Sequence, residues 1–115
     1  MTVDLFAGIS VSDHDQARAW YERFFGSEPA FLPNDVEAVW EVAEHRYVFF
    51  EVLPEHAGHG QCTLFVDDLD GWVDAIVARG IEPEVRETYA NGVRHVTFRD
   101  PDGNEINFGG PPVEA

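Results

Sequence analysis

The feature that most constrains this 115-residue chain is an internal duplication. Residues 9–29 (ISVSDHDQARAWYERFFGSEP) and residues 64–83 (LFVDDLDGWVDAIVARGIEP) both run from a short apolar stretch through acidic residues to a helical apolar stripe, a glycine and Glu-Pro. The copies are offset by 54 positions, counted from Gly26 to Gly80. Two copies are too few for a solenoid, so the pattern predicts a pair of similar modules.

Each copy predicts one amphipathic helix that begins after an acidic or hydroxyl cap. Ser12 or Asp13 can cap the first helix, and Asp67 or Asp68 can cap the second. Apolar residues recur at helical spacing after both caps. They are Ala17, Trp20, Tyr21 and Phe24 in the first helix, and Leu69, Trp72, Val73, Ile76 and Val77 in the second. A glycine then ends each helix.

Three short extended runs follow each helix. They are EPAFLP, VEAVWEVAE and RYVFFEVLP in the first half, and IEPEVRET, GVRHVTFRD and NEINFGG in the second. The strongest turn between them is DPDGN, residues 100–104, because proline presets the turn angle and glycine tolerates positive φ. We therefore predict one α+β domain of two βαβββ modules, about 3–56 and 60–110, with a linker at about 54–60. Neither half is long enough to bury sufficient surface alone, so the two sheets must join, within one chain or between chains.

Charge and composition narrow the class of partner. The chain carries 22 acidic residues against 7 basic ones, for a net charge of −15. This excess disfavours nucleic acid and anionic membranes and attracts cationic ligands, or it simply keeps the protein soluble. No apolar run approaches the roughly 20 residues of a membrane helix, and we see no secretory signal, so we expect a cytoplasmic protein. Cys62 is the sole cysteine and is expected to be a buried, structural thiol.

The duplicated βαβββ pattern, with Val11-Ser12-Asp13 opening the first helix and Phe98 and DPDGN preceding the last strand, resembles the vicinal oxygen chelate superfamily. That superfamily includes glyoxalase I, extradiol dioxygenases, fosfomycin-resistance enzymes and bleomycin-resistance proteins. The resemblance extends from about Leu5 to Gly109. It implies that the two modules form a curved mixed sheet around a ligand cavity, which a homodimer usually completes.

Alternation along the strands assigns one face of each strand to a helix and the other to the cavity. The side chains that we expect to line the cavity and bind a small molecule are Phe6, Tyr47, Phe49, Glu51, Gln61, Thr63, His95, Thr97 and Asn107. Trp40 is added to this set as a stacking wall for a flat ligand, although its spacing suits a core position equally well.

The resemblance also implies four strand positions that hold a metal in metal-dependent members, typically as His or Gln, Glu, His or Gln, and Glu. Counting from the matching motifs places Phe6, Glu51, Gln61 and Asn107 there. A phenyl ring cannot ligate and amide oxygens are weak donors, so we expect no metal cofactor. A register slip that brings in Asp4, or a contribution from Glu105, would overturn this expectation. His56 and His59 lie in the predicted linker and are expected to be solvated.

Two functions remain open. The first is a metal-independent binding protein, similar to the bleomycin-resistance branch, that sequesters an aromatic or cationic compound such as an antibiotic between two subunits. The alternative is a lyase-, isomerase- or dioxygenase-type enzyme that uses Glu51 and His95 as an acid–base pair, or a displaced metal site. A module that only mediates protein association fits less well, because so many inward polar groups would need partners if buried.

Overall fold

The computed structural model describes residues 1–113 of the chain. In chain order its elements are β1 (Leu5–Val11), α1 (His14–Phe25), β2 (Glu37–Ala43), β3 (Arg46–Val52), a 3-10 turn (Pro54–His56), β4 (Gln61–Phe65), α2 (Leu69–Ala78), β5 (Val85–Thr88), β6 (Arg94–Arg99) and β7 (Glu105–Gly110). The 3-10 turn lies in the segment predicted to link the modules. No helix within residues 1–113 is both long and apolar enough to cross a membrane.

Two small mixed sheets correspond to the two predicted modules. The first has the strand order β1-β3-β2, and the second has the order β4-β7-β6-β5. In each sheet the strand before the helix pairs in parallel with the last strand of the same module, and the remaining pairs are antiparallel. The predicted α+β architecture is therefore confirmed.

One predicted strand is much reduced. The run EPAFLP makes only an isolated bridge between Phe31 and Val39, rather than a ladder along β2. Pro29 and Pro33 flank this bridge and have no N–H to donate, so pairing cannot propagate in either direction.

Both helices begin at one of the two predicted caps. The Asp13 side chain accepts a hydrogen bond from the Gln16 N–H at 2.9 Å, and Asp68 accepts one from the Gly71 N–H at 3.1 Å. At the other end of α1, Gly26 adopts a left-handed conformation with φ of 77°. Glycine is favoured there because it has no Cβ to clash.

The helix-facing sides of both sheets and the two helices share one hydrophobic core. Phe24 of α1 packs against Phe98 and Phe108 of the second sheet, with ring centroids 5.3 Å and 5.8 Å apart. The two modules of a single chain are thus joined by side chains that neither module could bury alone.

The DPDGN turn ties the second module to the first through hydrogen bonds of two buried side chains, Asp100 and Asn104. Asn104 Oδ1 accepts from the Gly58 and Gly60 N–H groups of the linker, and Asn104 Nδ2 donates to the Ser10 carbonyl at the end of β1. The Tyr21 hydroxyl donates to Asp100 at 2.8 Å. Burial, together with this adjacent carboxylate, raises the pKa of Tyr21 well above its ordinary value.

A second tie lies at the opposite end of α1. The Arg79 guanidinium, just after α2, donates hydrogen bonds to the carbonyls of Arg23 and Phe24. These carbonyls belong to the last turn of α1, where a cation also interacts favourably with the helix dipole. Asp102 also accepts hydrogen bonds from the Ser12 N–H and hydroxyl just before α1, so the second module contacts the chain at both ends of the helix.

Candidate ligand-binding faces

The side of the first sheet that faces away from the helices is called here the first open face. Three cross-strand rows form it: Phe6–Tyr47–Glu41, Gly8–Phe49–Val39 and Ser10–Glu51–Glu37. The structure places the predicted first-half residues Phe6, Tyr47, Phe49 and Glu51 together on this face. Their opposite neighbours Val48 and Phe50 are buried in the core, as strand alternation requires.

An aromatic cluster occupies the first open face. The rings of Phe6 and Tyr47 are stacked, with centroids 4.4 Å apart and an interplanar angle of 9°. Phe49 meets Phe6 edge-on at 6.5 Å, and Phe31 meets Tyr47 edge-on at 6.4 Å. Phe6 and Phe31 are each 45% exposed, so the cluster presents aromatic surface to a ligand.

Glycine in β1 allows this cluster to form. A Cβ placed on Gly8 would lie 2.6 Å from the Phe49 ring. The ring therefore packs directly against the β1 backbone, and any side chain at position 8 would prevent this contact.

Carboxylates surround the aromatic cluster. Glu41 neighbours Tyr47 across the strands, and its carboxylate is the main cause of the raised pKa of the Tyr47 hydroxyl. Glu51 and Glu37 are direct cross-strand neighbours, and Glu37 accepts a hydrogen bond from Asn34. Within residues 1–113, Glu51 has no ion-pair partner. Aromatic faces next to negative charge suit a planar cation.

The corresponding side of the second sheet, called here the second open face, is more polar. Its rows are Gln61–Glu105–Arg99, Thr63–Asn107–Thr97–Val85 and Phe65–Gly109–His95–Glu87. All five predicted second-half residues, Gln61, Thr63, His95, Thr97 and Asn107, lie on this face.

Among the described residues, two buried polar atoms on the second open face lack hydrogen-bond partners. Asn107 is only 1% exposed, and its Oδ1 has no hydrogen-bond partner in the described part of the chain. The same holds for His95 Nδ1, whose nearest ion-pair contact is Glu87 Oε1 at 3.8 Å, too long for a hydrogen bond. A buried acceptor left unsatisfied costs about 1–3 kcal/mol, so these atoms offer hydrogen-bonding capacity to a bound molecule.

Trp40 does not belong to either open face. It is 2% exposed within the core, and its indole N–H donates to the Ser27 carbonyl at 3.0 Å. Ala38 and Trp40 face the core, while Val39 and Glu41 take the open side of β2. The core position is therefore right for Trp40, and the ligand-wall assignment is wrong.

Sequence reasoning missed several residues of the open faces. Glu37 and Glu41 follow from the same alternation that places Trp40 in the core, so the strand VEAVWEVAE contained the signal. Phe31 was missed because its contact with Tyr47 crosses between elements. Glu87 opposes His95 only through the register of β5 and β6. Glu51 and His95, proposed as an acid–base pair, lie in different sheets, and no described hydrogen bond or ion pair links them.

A cavity of about 240 Å³ lies at the junction of the two modules, beside the edges of β1 and β4. Its lining includes two predicted ligand residues, Tyr47 and Thr63, together with Leu5, Cys62 and Phe65. Burial raises the pKa of the Cys62 thiol, which keeps it protonated and unreactive at neutral pH.

The four positions that would hold a metal in metal-dependent relatives are divided between the sheets. Phe6 and Glu51 lie on the first open face, and Gln61 and Asn107 on the second. In residues 1–113, no three His, Cys, Asp or Glu side chains are grouped so as to hold a metal ion. Asp4 instead contacts His45 Nδ1 at 2.6 Å, and Glu105 pairs with Arg99. That the protein works without a metal stays a prediction.

Comparison with known families decides the wider relationship. The family model of the Glyoxalase/Bleomycin resistance protein/Dioxygenase superfamily matches residues 3–108. The chain belongs to this superfamily. The resemblance inferred from the duplication and from DPDGN is therefore confirmed.

Solved structures support the same conclusion for this superfamily member. A glyoxalase/bleomycin resistance protein from Catenulispora acidiphila DSM 44928 is 50% identical, with a TM-score of 0.92 over 96% of this chain and 100% of that one. A bleomycin-binding protein complexed with bleomycin is 21% identical, with a TM-score of 0.78 over 98% and 100% of the two chains. Lactoylglutathione lyase from Agrobacterium tumefaciens is 22% identical, with a TM-score of 0.76 over 96% and 94%. The last two share the fold. The search of curated proteins found no match.

Proposed function

We propose that this superfamily member is a metal-independent binding protein that sequesters a planar, cationic organic compound, such as an antibiotic of that chemistry. The observation that carries the proposal is the Phe6–Tyr47 stack on the first open face, with exposed aromatic surface and carboxylates beside it.

The aromatic cluster supplies area and shape for the ligand. Phe6 and Tyr47 are already stacked in parallel, so a flat ring can extend the stack with little ordering of the side chains. The rings of Phe49 and Phe31 stand edge-on beside it and limit how the ligand can slide.

Charge supplies the preference for a cation. Glu37, Glu41 and Glu51 share the first open face, and the whole chain carries a net charge of −15. A cationic ligand would gain both the local cation–π and carboxylate contacts and long-range attraction.

We further propose that two copies of the chain enclose the ligand. A ligand on the first open face of a single chain would contact protein on one side only. The second open face of the partner would cover its other side. On that face Asn107 and His95 have polar atoms without partners within residues 1–113. A homodimer would thus provide an aromatic wall and a hydrogen-bonding wall. That a bleomycin-binding protein has this fold is compatible with such a role.

Calorimetric titration with bleomycin and with an acridinium dye tests the proposal, with the neutral analogue of the dye as a comparison. Phe6→Ala should weaken binding of the cation about tenfold, because an aromatic contact of this kind contributes about 1–1.5 kcal/mol. Val113→Ala removes an exposed apolar side chain that belongs to neither open face and is the control. Affinity should be unchanged after treatment with EDTA.

The proposal fails if no compound binds more tightly than millimolar while the protein turns over a substrate, or if the purified protein contains stoichiometric metal. A second candidate function is that of a metal-free lyase or isomerase. His95 favours it, because its Nδ1 has no hydrogen-bond partner within residues 1–113 and lies 3.8 Å from Glu87 Oε1. His95→Ala should then abolish turnover without unfolding the protein.

A further inference from the structure

We propose that the protein has a second binding site, for a small organic carboxylate with a short apolar group, between the first turn of α2 and the β5–β6 ladder. A cavity of about 170 Å³ lies there. Its floor is formed by Leu69, Val73 and Val96, and its charged rim by Asp70, Arg86 and Arg94.

This cavity lies on the opposite side of the second sheet from the second open face. Arg86 pairs with Val96, a core residue, so both face α2. The neighbouring pair Glu87 and His95 faces the other way. The site is therefore separate from both open faces, and it does not depend on the proposed cation site.

The charge of the rim is unusual for this protein. Two of the seven basic residues meet one carboxylate, so the rim carries a formal charge of +1 in a chain whose net charge is −15. Glu87 also lines the cavity, but its carboxylate lies near His95 on the other side of the sheet. In the part of the chain that the structure describes, Arg86 has no ion-pair partner.

Arg94 has unused hydrogen-bonding capacity. Its Nη1 donates to Asp70 at 2.9 Å, but its Nε–H is buried and has no acceptor within residues 1–113. A guanidinium binds a carboxylate best through two parallel N–H groups, and this contact uses only one of them. An incoming carboxylate, with a small reorientation of the guanidinium, would supply the second acceptor.

Asp70 is suited to give way to such a ligand. Its side chain is 73% exposed, whereas that of Arg94 is only 22% exposed. The Asp70 carboxylate can therefore turn into solvent at little loss, because exposed ion pairs are weak. Arg94 stays in the cavity and needs a replacement partner.

The apolar floor of the cavity favours an organic anion over an inorganic one. Leu69 and Val73 are each 2% exposed and Val96 is 5% exposed, so the cavity is closed below by apolar side chains. Phosphate or sulfate would leave this surface unused. A molecule such as benzoate places its carboxylate at the arginines and its ring on the floor.

Titration of the full-length, isotope-labelled protein, followed by ¹H–¹⁵N correlation spectra, tests this site with benzoate, benzamide and inorganic phosphate. Benzoate should shift the amides of residues 69–73 and 86–88 and bind at least about tenfold more tightly than the other two. Arg86→Gln and Arg94→Gln should each weaken benzoate binding about tenfold. Asp70→Asn, which removes the competing carboxylate, should strengthen it. Arg23→Gln changes an exposed arginine at the end of α1 and should have no effect.

The proposed site would be overturned if benzamide caused equal shifts or phosphate bound equally well. It would also be overturned if the shifts were confined to other residues. So would unchanged binding by the Arg86→Gln and Asp70→Asn variants, which alter exposed side chains and keep the test decisive if Arg94→Gln fails to fold. Binding of planar cations at the first open face is read from different amides, so failure of one proposal leaves the other testable.

Discussion

Asn104 and Asn107 lie three residues apart and are both almost completely buried, at 0% and 1% exposure. Asn104 makes hydrogen bonds with both ends of its carboxamide, to the linker and to β1. Asn107, on the second open face, has an Oδ1 without a hydrogen-bond partner among residues 1–113. Two equally buried asparagines thus differ in role: one holds the fold together, and the other has hydrogen-bonding capacity left for a ligand.

This difference should be measurable by urea unfolding. Asn104→Ala should lower the free energy of unfolding by about 2–4 kcal/mol, because it removes a buried carboxamide and leaves several partly buried backbone groups without partners. Asn107→Ala should lower it by less than about 1.5 kcal/mol, since it removes an acceptor that is itself unsatisfied. Equal losses in the two variants would show that Asn107 has a structural partner.

At the scale of elements, two strands depend on glycines that approach other side chains closely. A Cβ on Gly110 of β7 would lie 2.7 Å from Leu69 Cβ at the start of α2, inside the core. A Cβ on Gly8 of β1 would instead meet the Phe49 ring on the first open face. Leu69 is held by the packed core, whereas the Phe49 ring is only partly buried and can move.

We therefore expect the same substitution, glycine to alanine, to have different consequences at the two positions. Gly110→Ala should lower the free energy of unfolding by about 1–3 kcal/mol, as overpacking in a core does. Gly8→Ala should change stability little but displace the Phe49 ring and weaken binding of a planar cation. Thermal unfolding and calorimetry of both variants give the comparison. A Gly8→Ala variant with unchanged affinity would exclude Phe49 from the site.

At the scale of the whole molecule, the two modules are held together by one core and by ties at both ends of α1. The contact between Tyr21 and Asp100 crosses from the first module to the second and is buried. Because the folded state raises the pKa of Tyr21, it favours the neutral hydroxyl. The unfolded chain loses this proton near the ordinary tyrosine pKa of about 10.

The contribution of Tyr21 to stability should therefore be complete at neutral pH and decline as the pH rises above about 10. At pH 7, Tyr21→Phe should be less stable than the wild type by about 1.5–3 kcal/mol, the range for a hydrogen bond to a charged group. The difference should shrink in alkaline solution, as measured by urea unfolding at several pH values. Tyr89→Phe, at an exposed position, is the control. A gap that stays constant with pH would contradict the assignment.

Much of the fold and part of the candidate site could be predicted from local patterns. The helix stripes, caps and strand faces follow from short-range periodicity, and the DPDGN turn correctly anchored the register of the last strand. Trp40 suited two positions because alternation defines two faces without saying which one is buried. EPAFLP had strand-like residues, but its flanking prolines limited it to a bridge.

Local periodicity in the chain was enough to predict both helices, most of the strands and the face of each predicted ligand residue except Trp40, because side-chain direction repeats every two residues in a strand and every 3.6 in a helix. The contacts between elements decided the rest: that Glu87 rather than Glu51 neighbours His95, that Phe31 joins the aromatic cluster, and that the Arg94 Nε–H beside α2 has no acceptor within residues 1–113. Such contacts join residues distant in sequence, so they depend on how the modules pack, and no local pattern records them.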